Sequence, residues 1–179
     1  LDPMNFTVED TTKFASEMYV DAGANPNFGN GTEEHPYTTI AEALSCGVTV
    51  DRLFVAPGVY NEDLLIENAP VHIEATPGAV LQGSGQRPVI EVRGHNSLGS
   101  SISGLTITGG AGETGGVMVT NGGDLSLVNC TLSGCTGGTA GAMLVRNGST
   151  ASLVGCTING NDSSNGTGGL MHQQILSDR

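Results

Sequence analysis

Short runs of apolar residues, some interrupted by a polar one, recur along this chain, each closed by a turn signal. Leu53-Phe-Val55, Leu64-Leu-Ile66, Val71-His-Ile-Glu-Ala75, Val80-Leu81 and Val89-Ile-Glu-Val92 read as strands. Pro57-Gly58, Asn68-Ala-Pro70, Pro77-Gly78 and Gly83-Ser-Gly85 separate them as turns. Met18-Tyr-Val20 reads as an earlier strand, preceded by a polar, aperiodic arm over 1–17 and followed by a loop over 21–36. Tyr37 to Cys46 predicts a helix. Thr38 or Thr39 caps it, Glu42 completes a capping box with Thr39, and Gly47 stops it. Ile40, Ala43 and Leu44 share one face, so the helix covers something apolar.

From about residue 101 the alternation becomes periodic. Val119-Thr-Asn-Gly122 returns as Val145-Arg-Asn-Gly148, and Leu127-Val-Asn-Cys-Thr-Leu132 as Leu153-Val-Gly-Cys-Thr-Ile158, a step of 26 residues. A fixed period of this size marks stacked units, each too small to bury a core alone. Overlaying the copies stacks Ile102 with Leu127 and Leu153, Leu105 with Cys130 and Cys156, and Ile107 with Leu132 and Ile158. Gly104, Asn129 and Gly155 fall between the first two columns. Gly and Asn both tolerate left-handed backbone, which predicts a sharp bend between two sheets there. Parallel rungs about 4.8 Å apart and a right-handed crossover complete the expectation. It is an all-β, right-handed, single-stranded parallel β-helix over 18–171, with a short capping helix at 37–46. Residues 172–179 form an incomplete last rung or tail without a visible cap, so either the chain continued or the open end stacks on another molecule. Head-to-tail stacking of that kind gives a filament.

These same residues resemble the pectin-lyase-like, right-handed parallel β-helix superfamily. The N-terminal half is similar to its module of strand, Gly/Asn loop, helix and turn, through Tyr19-Val-Asp21, Pro36-Tyr-Thr-Thr-Ile-Ala-Glu-Ala43 and Val55-Ala-Pro-Gly-Val-Tyr-Asn-Glu62. The C-terminal half is similar to repeats of polymorphic outer-membrane and algal or oomycete surface proteins. Gly115-Gly-Val117, Gly168-Gly-Leu170, Cys130-Thr-Leu-Ser-Gly-Cys135 and Cys156-Thr-Ile-Asn-Gly-Asn161 carry that likeness. The resemblance implies the fold. It does not choose a function, because the superfamily holds lyases, hydrolases, esterases, epimerases, adhesins and structural shells.

Composition narrows the classes. With 28 glycines, no Trp and 13% charged residues, the chain suits many short strands joined by tight turns. A net charge of −12, with Lys13 the single lysine, argues against a nucleic-acid partner. No apolar stretch approaches the roughly 20 residues of a membrane span. The chain opens Leu1-Asp-Pro3 with no basic, apolar leader, so a signal peptide is expected to have been removed or never included. Six Asn-x-Ser/Thr sequons, at Asn5, Asn30, Asn129, Asn147, Asn161 and Asn165, point to a secreted, extracellular or cell-surface glycoprotein.

Candidate chemistry is sparse. A calcium-dependent lyase of the superfamily would carry clustered aspartates on neighbouring rungs, and Glu113, Asp124 and Asp162 form no such column. Strand alternation turns His72, Glu74, Glu91 and Arg93 outward with His95 close by. On one groove these could bind or cleave an anionic polysaccharide, and otherwise they are solvated strand faces. Asp21, Asn25 and Asn27 offer oxygens for calcium in a loop that departs from EF-hand spacing, and a turn-rich connection explains them equally. Cys130 and Cys156 share an inward column and are either a disulfide or free core thiols, and Cys135 falls near a turn and is expected to be more accessible. Val117-Met-Val119 and Ala142-Met-Leu-Val145 are apolar on both faces. With Met118, Leu144 and Leu170 inward, Val117, Val119, Met143, Val145 and Met171 face outward as a candidate interface. An ice or mineral binder would need outward Thr ladders, and Thr106, Thr131 and Thr157 form one.

The resulting expectation is a non-catalytic extracellular structural or surface protein that self-associates or meets other extracellular proteins. The alternative is a carbohydrate-active module acting on an anionic polysaccharide through His72, Glu74, Glu91, Arg93 and His95.

Overall fold

Each turn of the chain closes because its strands are separated by residues that bend the backbone sharply. The structure, a computed structural model, describes residues 17–46 and 50–173. The chain runs β1 (Glu17–Val20), α1 (Ile40–Ser45), β2 (Arg52–Val55), β3 (Gly58–Asn61), β4 (Leu64–Ile66), β5 (His72–Ala75), β6 (Ala79–Gln82) and β7 (Ile90–Arg93). A 3₁₀ turn (His95–Ser97) leads to β8 (Ser100–Ser103), β9 (Thr106–Thr108), β10 (Val117–Thr120), β11 (Asp124–Val128) and β12 (Thr131–Ser133). The remaining strands are β13 (Thr136–Gly137), β14 (Met143–Arg146), β15 (Thr150–Val154), β16 (Thr157–Asn159), β17 (Asp162–Ser163) and β18 (Leu170–Gln173).

These strands sort into three long parallel sheets. Sheet A holds β1, β2, β5, β8, β11 and β15; sheet B holds β3, β6, β9, β12 and β16; sheet C holds β4, β7, β10, β14 and β18. β13 and β17 form a small fourth pair at the corner between sheets B and C. Every paired strand is parallel and comes from an adjacent turn, so the molecule is an all-β parallel solenoid with one short helix near its N-terminal end. The corner between sheets A and B is turned by Gly104, Asn129 and Gly155, with φ of 73°, 53° and 65°. Left-handed backbone costs other residues about 1–2 kcal/mol, which is why this column alternates only between Gly and Asn.

The core is a stack of like side chains. Sheet A sends in Met18, Leu53, Ile73, Ile102 and Leu127, and sheet B sends in Tyr60, Leu81, Ile107 and Leu132. Leu153 and Ile158 continue the two columns on the last turn, half-buried and exposed respectively. The sequence reading treats Pro57-Gly58 as a turn. In fact Gly58 already begins β3, and Tyr60 is buried with its hydroxyl donating to the Ala56 carbonyl at 2.8 Å.

Sheet C corrects the predicted interface. Val117, Val119, Met143 and Val145 are buried in the core rather than exposed. β10 pairs with β7 so that Val117 lies over Ile90, Met118 over Glu91 and Val119 over Val92. The phase of the run is thus set by Ile90-Glu91-Val92, whose single charge must face out. Met118, Leu144 and Met171 share the outward column, and Leu170, expected inside with Met118 and Leu144, pairs with Met143 in the inward one. Leu144 is fully buried although it lies outside the main core cluster.

The helix covers the N-terminal end as expected but is shorter than predicted. Tyr37 is extended, bridging to Val20 and donating its N–H to the Tyr19 carbonyl at 3.0 Å, so α1 begins only after Thr39. Thr39 accepts the Glu42 N–H at 3.2 Å, and Ile40 and Ala43 are buried. The reciprocal half of the capping box does not form, since Glu42 meets the Thr38 and Thr39 hydroxyls instead. Glu62, just past β3, supplies what the Thr39 cap leaves unmet. Its two carboxylate oxygens accept the Ile40 and Ala41 N–H groups, each at 2.8 Å. The predicted stop at Gly47, nearly all of the 1–17 arm and residues 174–179 lie outside the described residues, while His172 and Gln173 belong to β18.

Val119→Asp is expected to cost more than about 4 kcal/mol, and Met118→Gln less than about 1 kcal/mol. Urea denaturation of the two variants checks the phase of β10, and equal costs would contradict it. Burial raises the Glu62 pKa, with the Ala41 and Ile40 N–H groups pulling it back. A carboxyl with a raised folded pKa contributes stability that is complete below its unfolded pKa and is lost as pH rises through the folded value. The melting temperature of wild type minus that of Glu62→Gln, whose amide stands in for the neutral carboxyl, should therefore fall as pH rises from acid towards neutral. A difference that rises instead would contradict this.

Candidate functional site

The five polar residues of the predicted groove face outward, as strand alternation requires, but they do not converge. His72 and Glu74 stand on β5 in sheet A, whereas Glu91 and Arg93 stand on β7 in sheet C, and His95 lies in the 3₁₀ turn at the corner between the two sheets. Four of the five are engaged locally, His95 being the exception. Arg52 Nε donates to Glu74 at 2.9 Å, and the same guanidinium lies 3.8 Å from Glu17. It also sits 5.3 Å above the Phe54 ring, which stacks on Tyr19 at 5.1 Å. Arg93 Nε donates to Glu67 at 2.6 Å and approaches Glu91 at 3.6 Å. His72 Nδ1 and the Ser101 hydroxyl are hydrogen-bonded at 2.8 Å.

Apart from the Arg93–Glu91 and Arg52–Phe54 contacts within one strand, these interactions join one turn of the coil to the next. Arg52 links three neighbouring strands, β1, β2 and β5. Arg146 pairs with Glu113, Thr150 with Asp124, and Arg87 with Asp63 at 3.7 Å. Asp63 also accepts the Ser84 N–H at 3.0 Å and its hydroxyl at 2.6 Å. Hydrogen bonds to Glu67 and Glu74 raise the pKa of Arg93 and Arg52 respectively, so both guanidiniums hold their protons more firmly than usual. An arginine held this way is a poor proton acceptor.

The predicted calcium loop bonds to itself. Asp21 Oδ1 accepts the Gly23 N–H at 2.8 Å, and Asn25 Oδ1 accepts the Asn27 N–H at 3.0 Å. Both are Asx turns. Among the described residues no three His, Cys, Asp or Glu side chains converge to hold a metal ion. A hollow of about 460 Å³ lies beside this loop, lined by Asp21, Phe28, Glu33, Glu34 and His35, with Phe28 65% exposed. Sequence reading did not find it, because the loop folds back through the Asn30 and Gly31 N–H groups, which both donate to the His35 carbonyl.

The thiols and sequons are placed as follows. All four cysteines are free. Cys130 and Cys156 donate to carbonyls of the preceding turn, Ile102 and Leu127, each at 3.4 Å. Cys135 is fully buried rather than accessible. Its N–H donates to Asn161 Oδ1 at 3.0 Å while Asn161 Nδ2 donates to the Leu132 carbonyl at 2.8 Å, so the next turn seals that corner. Asn30, Asn129, Asn147 and Asn165 are exposed, Asn161 is half-buried, and Asn5 lies outside the described residues.

Compared with protein-family models, with curated proteins and with solved structures, the chain matches none. No helix of the described residues is long and apolar enough to cross a membrane.

Burial raises the pKa of Cys130 and of Cys135, against the pull of nearby backbone N–H groups. Few thiolates and little access should leave both unlabelled by iodoacetamide in native buffer and label both in denaturant. Peptide mass spectrometry reads the outcome. Labelling of Cys135 in native protein would contradict the sealed corner.

Proposed function

We propose that this chain is a non-catalytic extracellular structural or surface protein, a solenoid of the pectin-lyase-like kind that self-associates into a filament or surface layer. One observation carries the reading. Each of the four arginines among the described residues is paired with a carboxylate, and Arg52, Glu74, Arg93, Arg146 and His72 brace adjacent turns rather than converge on one groove. The sequons support an extracellular site. The stacking geometry supports assembly, because a turn that takes its neighbour through in-register parallel strands can take a turn of a second copy in the same way.

The competing reading needs His72, Glu74, Glu91, Arg93 and His95 in one groove, and they occupy two sheets and a corner. Arg93→Ala and His95→Ala are therefore expected to leave polygalacturonate binding unchanged, with no turnover by wild type or either variant. Ultraviolet absorbance and reducing-sugar release measure turnover. A clear loss of binding or cleavage in either variant would sink the scaffold reading. Electron microscopy of the purified protein tests assembly: filaments or sheets support it, and monodisperse short rods count against it.

A further inference from the structure

Sheet B differs from the other two faces in its charge. None of its strands contains Asp, Glu, Lys, Arg or His, in a chain with 18 Asp and Glu and 6 Lys and Arg. Sheet A carries Arg52, Glu74 and Asp124, and sheet C carries Glu91, Arg93 and Arg146. Charge is sorted away from one face of the coil.

Register decides what that face presents instead. Thr106, Thr131 and Thr157 are paired across β9, β12 and β16, and Thr108, Ser133 and Asn159 are paired two residues further on. Val80 and Gln82 continue the two columns on β6, and Val59 and Asn61 on β3. The sequence showed the first column alone, and the second follows from the pairing. The array repeats about every 4.8 Å along the coil and about 6.6 Å across it. Among the described residues, the threonine and serine hydroxyls of this face make no side-chain hydrogen bond to the protein. On sheet A three of the outward hydroxyls, those of Ser101, Ser103 and Thr150, bond to His72, the Ile73 carbonyl and Asp124. Only Ser126 and Ser152 there share the unbonded state of the sheet B face. The sheet B hydroxyls are left for something outside.

The chemistry of the face limits the partner. A polyelectrolyte or an ionic mineral needs opposing charge, and sheet B has none. A sugar ring needs an aromatic platform, and the one aromatic of these strands, Tyr60, is buried at 2% exposure. Threonine has a stiff χ1 and loses little freedom on docking. Its methyl and hydroxyl, repeated at lattice-like intervals, suit a partner made of ordered, uncharged hydrogen-bonding groups.

We infer that the outer face of sheet B binds the surface of ice, its two columns holding a layer of water at crystal spacing. The inference extends the scaffold reading and rests on it for the face being displayed outside the cell. Partition into a slowly growing ice hemisphere tests it, with thermal hysteresis measured in parallel. Wild type should be enriched in the ice, Thr131→Lys should lose enrichment, and Ser126→Lys on sheet A should keep it. Thr131→Val, which preserves shape and removes one hydroxyl, should weaken it with an unchanged circular dichroism spectrum. The inference is overturned if wild type is excluded from ice like an unrelated protein of its size. It is equally overturned if Thr131→Lys and Ser126→Lys behave alike, or if crystalline cellulose or chitin captures the protein and ice does not. Exclusion from ice with no polysaccharide turnover would end this inference alone, whereas turnover would end the scaffold reading whatever the ice result.

Discussion

Backbone hydrogen bonds between successive turns hold this molecule together, and they form in register only if each strand meets its counterpart one turn away. The sheets run parallel throughout, so each strand's donors and acceptors are met by the turns before and after it rather than by its sequence neighbours. Turn length itself varies: the stacked residues Leu53, Ile73, Ile102, Leu127 and Leu153 lie 20, 29, 25 and 26 residues apart, and the loops between strands absorb the difference. One residue more or less inside a strand would turn an apolar column outward and a polar one inward. The left-handed corners at Gly104, Asn129 and Gly155 serve the same end, since they let three straight strands close a turn with no extra chain.

Once turns are stacked, side chains inherit the register. The inward columns become the core without further design, because like sits on like. Outward, the same stacking brings Arg52 between Glu17 and Glu74, and Thr150 onto Asp124. Exposed pairs of this sort add little stability each. Their consequence for function is that few polar groups on sheets A and C remain available, while the neutral face of sheet B is left with its hydroxyls facing solvent.

Much of this was legible in the sequence, and the failures have physical causes. The bend column, the inward columns and the N-cap at Thr39 are local or strictly periodic, so spacing alone exposed them. The phase of Val117-Met-Val119 was not readable from that run, because a strand apolar on both faces carries no period-2 signal. Aligning it with Ile90-Glu91-Val92 one turn earlier would have supplied the phase through the charge of Glu91. Glu62 reaches the helix from 22 residues away, and no local rule links them. The polar cluster failed for a topological reason. Strands close in sequence, such as β5 and β7, belong to different faces of a solenoid, and proximity along the chain is no guide to a shared groove.

The most direct test of the account is a nuclear Overhauser measurement on isotope-labelled protein. In-register parallel stacking predicts backbone cross-peaks linking Leu127 to the strand neighbourhoods of both Ile102 and Leu153, and linking Val119 to those of both Val92 and Val145. Cross-peaks that place Met118 rather than Val119 level with Val92, or that pair neighbouring turns in antiparallel fashion, would contradict it.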